Sequence, residues 1–216
     1  MKEETFNFFN QTLKLHPLKG LFWEEQNLLV IGDLHFGKIL HFRKSGVGLP
    51  EKAIAENLNN LKSIINYFDP KQVLFLGDLF HSKYNKEWEA FCKLIGDFKQ
   101  VEFTLLIGNH DTLSIEKYNQ ANLKVVYESL VATPFIFTHE PVENETEFFQ
   151  ISGHIHPGIK LSGKGVGSIT IPCFYFKKKQ AIMPAFGYFT GLHRVKPKKG
   201  EVVFGIVNNA VLNFKI

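Results

Sequence analysis

The chain has 216 residues, of which 44% are hydrophobic and 21% charged, a balance typical of a soluble globular protein. No apolar run approaches the roughly 20 residues that span a bilayer. The start, MKEETFNFF, lacks the basic and then apolar pattern of a secretory signal. We therefore expect one cytoplasmic domain, 1–216. The formal net charge of +4 permits a nucleic-acid partner without requiring one. The two cysteines, Cys92 and Cys173, have no metal or redox spacing and are predicted to be reduced thiols.

Short apolar runs in the first part of the chain predict strands. The opening segment alternates Phe6, Phe8 and then Leu13, Leu15 with polar residues, as a half-buried strand does. Further runs, rich in β-branched and aromatic residues, follow in chain order: LLVIG, QVLFLG, VEFTLLIG, KVVYES, TPFIFTH and EFFQISG.

Two helices are predicted between these strands. The first follows Pro50, a favourable first helical position, and ends at Asp69-Pro70. The second runs from Lys86 to Phe98. Apolar residues recur at helical spacing in the first (Ile54, Leu58, Leu61, Ile65, Phe68) and in the second (Trp88, Phe91, Leu94, Ile95). This strand–helix–strand alternation indicates an α/β layer with a largely parallel sheet.

After Gly158 the helical pattern disappears, and short strands separated by Gly/Pro turns follow. The last segment, EVVFGIVNNAVLNFKI, predicts a hairpin that turns at Asn208-Asn209. No repeat, low-complexity tract or linker divides the chain.

Side chains that can bind metal ions or move protons follow five of the predicted strands. Ligands bind outside the carboxyl ends of strands in open α/β sheets, so these groups are expected to converge. In chain order they are Asp33-Leu34-His35, Asp78-Leu79-Phe80-His81, Asn109-His110-Asp111, His139 and His154-Ile155-His156.

The spacing within the motifs supports this convergence. Asp33 and His35 are two residues apart and should face the same side of an extended backbone, as should His154 and His156. The glycines before Asp78, Asn109 and His154 allow the backbone to turn sharply and approach a common centre.

The ligand set predicts a metal centre. Imidazole and carboxylate together suit first-row ions such as manganese, iron or zinc. The candidates are too many for one ion, whereas two ions that share Asp78 would use all of them. Such a two-metal site, with the ions about 3.5–4 Å apart, activates water and holds a phosphoryl group. The candidate ligands are Asp33, His35, Asp78, Asn109, His139, His154 and His156.

Taken together, the motifs DLH, GDLFH, GNHD, TH and GHIH resemble those of the calcineurin-like metallophosphoesterases. The resemblance extends from Ile31 to Pro157 and implies a four-layer αββα sandwich, in which helices flank two central sheets. It also implies two ligand sets that share Asp78. One set is Asp33, His35, Asp78 and His156, and the other is Asp78, Asn109, His139 and His154.

The same resemblance assigns roles to three residues beside the metal ligands. His110 would be catalytic, by stabilising the phosphoryl oxygens or protonating the leaving group. Asp111 would orient His110 as a hydrogen-bond acceptor. His81 would brace the site or contact the substrate.

Two further stretches, DLHFGKILHFR and PCFYF…MPAFGYFTG, resemble a narrower group, the bacterial DNA ligase-associated metallophosphoesterases of the PdeM family. This resemblance implies a manganese-dependent phosphodiesterase that acts as a DNA endonuclease on single-stranded or flapped DNA. It also implies a role in repair beside a DNA ligase, a helicase and an exonuclease. Lys38 and Arg43 follow the first ligand pair closely enough to contact flanking phosphates.

Several segments are open between two roles. The lysines at 177–179 and at 196, 198 and 199 could follow a nucleic-acid backbone or form solvated turns. Phe174, Tyr175 and Phe176 could stack on bases or fill a core, and MPAFGYFTG is ambiguous in the same way. His16, His41 and His193 match no ligand motif and are predicted to be ordinary polar residues.

Two other functions share these core motifs. One is a small-molecule phosphodiesterase or nucleotide pyrophosphatase, which would use the same metal centre. The other is a non-catalytic scaffold, because the retromer complex contains a subunit of this fold that resembles a disabled phosphoesterase. A scaffold is expected to have lost ligands, whereas every ligand position is filled here.

Overall fold

The computed structural model describes residues 1–38, 52–82, 84–142, 146–163, 167–188 and 190–214. These residues form two β-sheets and a layer of helices. The helices are α1 (Lys52–Phe68), α2 (Lys86–Gly96) and α3 (Ile115–Gln120). The strands of the first sheet are β1 (Glu4–Phe8), β2 (Gln11–Leu15), β3 (Gly20–Trp23), β4 (Leu28–Ile31), β5 (Gln72–Phe75), β6 (Glu102–Leu106) and β7 (Leu123–Val126).

The strands of the first sheet lie side by side in chain order, from β1 to β7. The pairs from β4 to β7 are parallel, because the long connections that contain the helices carry the chain back across the sheet. The pairs from β1 to β4 are antiparallel, because short turns join them. The predicted largely parallel sheet is therefore right for β4–β7 and wrong for the strands before them.

The second sheet is mixed in direction and contains β8 (Ser129–Ala132), β9 (Phe135–Thr138), β10 (Phe149–Ser152), β11 (Pro157–Gly163), β12 (Gly167–Phe176), β13 (Gln180–Ile182), β14 (His193–Arg194), β15 (Val202–Val207) and β16 (Ala210–Phe214). Strands β9, β10 and β13 are parallel neighbours, so their carboxyl ends reach one edge. Strands β15 and β16 form the predicted hairpin, and both turn residues, Asn208 and Asn209, have positive φ, as a tight hairpin turn requires.

Apolar side chains fill the layers on either side of the first sheet. The core between the sheets contains Trp23, Leu74 and Phe137. On the other face, α1, α2 and α3 pack against the sheet, and the apolar face predicted for α2 is buried there. Helix α1 ends at Phe68, directly before Asp69-Pro70 as predicted, whereas Pro50 lies outside the described residues.

The fold class, α/β with two packed sheets, is confirmed. Among the described residues after Gln120 there is no helix, so a helical fourth layer is not seen. The outer face of the second sheet has instead a small apolar cluster, which contains Tyr175, Val195, Ile155 and Ile159.

The segment Phe174–Phe176 contributes to the core rather than to the surface. Phe174 and Phe176 lie between the two sheets, and Tyr175 is buried on the outer face. Of the two roles left open by the sequence, packing is the one these aromatic rings have. Both cysteines are free, as predicted. No helix in the described ranges is long and apolar enough to cross a membrane.

His16 is buried at the end of β2, where its ring packs against Tyr67 and Phe68. Its Nδ1 accepts a hydrogen bond from the backbone N–H of Leu18. Burial lowers the pKa of His16 from 6.5 to about 4. The unfolded chain therefore takes up a proton below the ordinary pKa while the folded chain does not, so stability falls as the pH decreases through this range.

We expect His16→Asn to reduce this pH dependence, because asparagine retains an acceptor for the Leu18 N–H and does not titrate. Urea unfolding in EDTA at pH 7 and pH 5 measures it. The wild type should lose about 2 kcal/mol more than the variant over this interval. An equal loss in both proteins would show that the buried His16 ring does not control the pH dependence.

Candidate metal centre

The candidate site lies where the carboxyl ends of β4, β5, β6, β9 and β10 meet. Two groups of side chains come together there, and the possible ligand atoms within each group lie within 4.8 Å of one another. The members of both groups were predicted from the sequence. The first group is Asp33, His35 and His156, and the second is Asp78, His139 and His154.

Asp78 lies between the two groups. Its Oδ2 is 3.6 Å from Nε2 of His35, and its Oδ1 is 3.4 Å from Nε2 of His139. The seventh predicted ligand, Asn109, joins the second group, because its Oδ1 is 2.9 Å from Nε2 of His139. The two oxygens of Asp78 thus face different groups, as a bridging carboxylate requires.

Hydrogen bonds set the tautomers of two imidazole rings. The Nδ1–H of His139 donates to the carbonyl oxygen of Leu76 at 2.7 Å, and that of His156 donates to the carbonyl oxygen of Thr190 at 2.9 Å. In the neutral ring, Nε2 therefore carries a lone pair. In His156 this atom faces Oδ1 of Asp33 at 3.4 Å. A lone pair beside a carboxylate requires a proton or a metal cation between them, so these residues fit divalent cations.

The pKa shifts differ between two neighbouring histidines. Burial, with a further contribution from nearby cations such as Lys38, lowers the pKa of His35 to about 2, so the ring is neutral and able to bind metal. Burial alone would lower the pKa of His156 as well. The contact with the Asp33 carboxylate and the bond to Thr190 outweigh burial and raise it.

The backbone of the ligand loops is left-handed rather than extended. Asp33 and His35 both have φ of 50°, and His154 and His156 have φ of 66° and 52°. The prediction that an extended backbone aligns these pairs is wrong, because β4 ends at Ile31 and β10 at Ser152, and each pair lies beyond its strand with left-handed φ. His154 and His156 consequently contribute to different groups.

Two glycines permit the close approach of these loops. A Cβ at Gly77, which has φ of +78°, would overlap the ring of His139, and a Cβ at Gly153 would lie 2.5 Å from Oδ2 of Asp33. The predicted crowding of backbone at the glycines is confirmed at both positions. Because no side chain intervenes, the His154 N–H donates to the Asp33 carboxylate at 2.9 Å.

His110 lies beside the second group. Its backbone N–H donates to Oδ1 of Asp78 at 2.9 Å, and its half-buried ring stacks on His81 with centroids 3.9 Å apart. The ring of His35 is 5.9 Å away. The stacking of His81 on His110 agrees with the first of its two predicted roles, bracing the site.

Asp111 has other partners than the one predicted. Its Oδ1 accepts from the backbone N–H groups of Leu79 and Phe80, and its Oδ2 accepts from that of Gly108. The carboxylate therefore connects the loop after β5 to the loop after β6, and the expected contact with the His110 ring is a wrong prediction. Burial raises the pKa of Asp111 to about 6 although these hydrogen bonds oppose the shift.

The segment MPAFGYFTG, whose role the sequence left open, supports the first ligand group at two points. The N–H of Phe186 donates to the carbonyl of Gly32 at 2.8 Å, and that of Gly187 donates to the carbonyl of Asp33 at 3.0 Å. Farther along, Thr190 accepts from His156. One segment thus fixes the first ligand loop and the last ligand of the centre.

Sequence reasoning missed three residues near the site. The buried Glu87 accepts from the N–H of Gly37 at 2.7 Å and so fixes the loop that carries Lys38. Glu140 is exposed, with Oε1 3.9 Å from Nδ1 of His154. Asn57 is buried and lines a small cavity with His35 and Lys38. Their partners are distant in the chain, so no local pattern identifies them. Arg43 and His41 lie outside the described residues.

The fold and the paired Asp/His groups define a hydrolase of phosphoester bonds. The chain belongs to the calcineurin-like phosphoesterase family, whose model matches residues 27–166, more than half of its length. Among solved structures, a nuclease from Pseudomonas putida, MPE, has a TM-score of 0.82 at 22% identity, over 99% of this chain and 100% of that one. The Escherichia coli phosphoesterase Yfce has a TM-score of 0.45 at 11% identity, over 86% of this chain and 96% of that one. No curated protein sequence is significantly similar.

We expect Asp111→Ala to destabilise the metal-free protein by about 3 kcal/mol, because three backbone N–H groups lose their acceptor in a mostly buried site. Asp111→Asn should cost less, since one oxygen is retained. Urea unfolding in EDTA measures both. Asp97→Ala is the control: Asp97 is exposed, and its removal should change stability by less than about 0.5 kcal/mol. Equal stability of Asp111→Ala and the control would contradict the assigned role.

Proposed function

We propose that the protein is a metal-dependent phosphodiesterase that cuts DNA as an endonuclease, with two divalent ions, manganese in the first instance. The observation that carries the proposal is the pair of Asp/His groups on either side of Asp78, with His110 beside them. A site of this kind holds a phosphoryl group between two cations.

The ions would be held by Asp33, His35, Asp78 and His156 on one side, and by Asp78, Asn109, His139 and His154 on the other. When bound, they would supply Lewis acidity that neutralises phosphoryl oxygen charge and lowers the pKa of water.

His110 is the residue of the chain that we assign to the departing oxygen. Its ring N–H donates to the phosphoryl or leaving oxygen as negative charge develops there. The bond from its backbone N–H to Asp78 holds the residue next to the ligand groups, and the stacked ring of His81 limits its rotation. Lys38 would bind a flanking phosphate as a point charge. Arg43, which is assigned by its sequence position alone, would bind one through its planar guanidinium group.

Three observations support DNA as the substrate. The segments DLHFGKILHFR and PCFYF…MPAFGYFTG resemble the DNA ligase-associated phosphoesterases of the PdeM family. The structure with the high TM-score is a nuclease. The rim of the site is accessible, since Asn109 is exposed and His110 and His154 are partly so. We extend the proposal to single-stranded or flapped DNA, and to repair in functional association with a ligase, a helicase and an exonuclease.

The first test is hydrolysis of an aryl phosphodiester, bis(p-nitrophenyl) phosphate, with manganese and with EDTA. We expect turnover with manganese and none with EDTA. His110→Ala should lower kcat by about 10²–10⁴-fold, because a proton donor is lost. Asp78→Ala should abolish turnover, because the ligand sets proposed for the two ions share this carboxylate.

His16→Asn and Asp97→Ala are matched controls, since they alter a histidine and an aspartate outside the site. Both should keep full activity. Retained turnover in His110→Ala or Asp78→Ala would reject the assignment. A purified protein without bound metal and without turnover would favour the scaffold alternative.

The second test separates DNA from small-molecule diesters. We expect the protein with manganese to nick single-stranded circular DNA, and to turn over cyclic nucleotides at least about tenfold less efficiently, because a one-phosphate ligand makes none of the flanking contacts. The ratio of the two kcat/KM values measures this preference. A preference for cyclic nucleotides would replace the nuclease with the small-molecule phosphodiesterase.

A further inference from the structure

We propose that an exposed row of cations beside the metal centre, the β14 row (Arg194, Lys196 and Lys198), binds the phosphate backbone of the nucleic-acid strand whose diester occupies the site. The inference rests on the proposed function and names the path of the substrate outside the site. It assigns a role to a segment that lies beyond residues 27–166, the part matched by the family model.

The β14 row begins at the metal centre. The N–H of His193 donates to the carbonyl of His156 at 2.9 Å, and the Nδ1–H of His156 donates to the carbonyl of Thr190 at 2.9 Å. The N–H of Val195 donates to the carbonyl of Gly158, also at 2.9 Å. The backbone on either side of Arg194 is therefore attached to the candidate ligand His156 and to the start of β11, which follows it, and leads away from the site along β11.

The cations of the row face the same way. Arg194, Lys196 and Lys198 are exposed, whereas Val195 is buried and Pro197 is half-buried between them. This period of two indicates an extended backbone with every second side chain turned to solvent. Alternate residues on such a backbone are about 6.6–6.8 Å apart, so the row presents a line of evenly spaced positive charges.

The charge of the row is not neutralised within the described structure. No salt bridge between described residues includes Arg194, Lys196 or Lys198. The next acidic residue, Glu201, turns inward, where its carboxylate accepts from the Tyr175 hydroxyl and from the N–H of Lys198. This contact holds the end of the row in place.

The neighbouring strand adds a further charge. Lys160 is exposed on β11. This strand pairs with β14, and Gly158 of β11 lies opposite Arg194. A line of cations that starts at a phosphodiesterase centre suits a polymer with regularly repeated phosphates, and lysine and arginine bind such phosphates by charge and by hydrogen bonds.

The other lysine group, Lys177, Lys178 and Lys179, lies at the opposite end of the sheet. Gln180, which follows it, pairs with Gln150 near the start of β10, whereas His154 follows the end of β10. The two groups carry the same number of basic residues but only the β14 row borders the site. They therefore form a matched pair for an experiment.

The test compares Arg194→Gln/Lys196→Gln/Lys198→Gln with Lys177→Gln/Lys178→Gln/Lys179→Gln, two variants with the same net charge. Anisotropy titrations with fluorescein-labelled single-stranded DNA in EDTA, at several salt concentrations, measure affinity without cleavage. We expect the β14 variant to bind about tenfold more weakly and its salt slope to fall by about 2, since each lost phosphate contact on a single strand accounts for about 0.7. The control should change affinity by less than about twofold.

Two results would overturn the proposal: equal loss of affinity in both variants, or an unchanged affinity of the β14 variant for DNA. In the second case, reduced binding of the β14 variant to phosphatidylglycerol vesicles would assign the row to a membrane surface instead. Failure of the proposed function would be seen separately, because the wild-type protein with manganese would then not hydrolyse bis(p-nitrophenyl) phosphate. The DNA comparison is made without turnover and decides the role of the row independently.

Discussion

The burial of two carboxylates in one pocket is the constraint on which the rest of the structure depends. Asp33 is fully buried and Asp78 is 2% exposed, and within the described chain their ionic partners are histidines rather than lysines or arginines. Such charges are costly unless they are balanced. Backbone N–H groups of His154 and His110 balance them in part, and the divalent cations that family membership implies would supply the remainder.

The same need for compensation explains how the two sheets cooperate. Each ligand group takes side chains from both sheets: Asp33 and His35 follow β4 of the first sheet, and His156 precedes β11 of the second. The distances within the metal centre are therefore set by the packing between the sheets. Backbone hydrogen bonds from Phe186 and Gly187 to the loop after β4 fix that packing at the edge that carries the metal ligands.

Much of the fold and the site follows from local sequence, and the rest depends on contacts that local sequence does not contain. The strands, the α2 face and the polar residues after each strand were predictable because apolar periodicity and strand ends are local properties. The antiparallel pairing of β1–β4 was not, since it depends on turn length and on packing across the sheets. Asp111 was misassigned for the same reason. Its partners are backbone N–H groups, two of which lie about 30 residues away in the chain. Every residue type except proline has such a group, so the sequence does not show which of them a side chain binds.

The left-handed backbone at the ligands was also beyond sequence reasoning. Asp33, His35, Asp78, His154 and His156 all have positive φ, a conformation uncommon for residues other than glycine and costly by about 1–3 kcal/mol each where the side chain is not suited to it. The sequence pattern favoured extended pairs, whereas these residues lie in loops beyond the strands, which hydrogen bonds between the loops hold in place.

The attachment of the segment at 183–195 to two ligands of the first group, Asp33 and His156, has a consequence for how the protein matures. Its contacts join residues more than 100 positions apart in sequence, such as Gly187 with Asp33, and long-range pairings of this kind form late in folding. On a ribosome, the amino-terminal sheet emerges first, together with the bonds from His35 and Phe36 to the loop after β5. The bonds from Phe186 and Gly187 to the loop after β4 form only later, when their own segment has been made. Nascent chains would therefore carry an incomplete metal centre until this segment has emerged, and hydrolysis of phosphoesters would begin only after that.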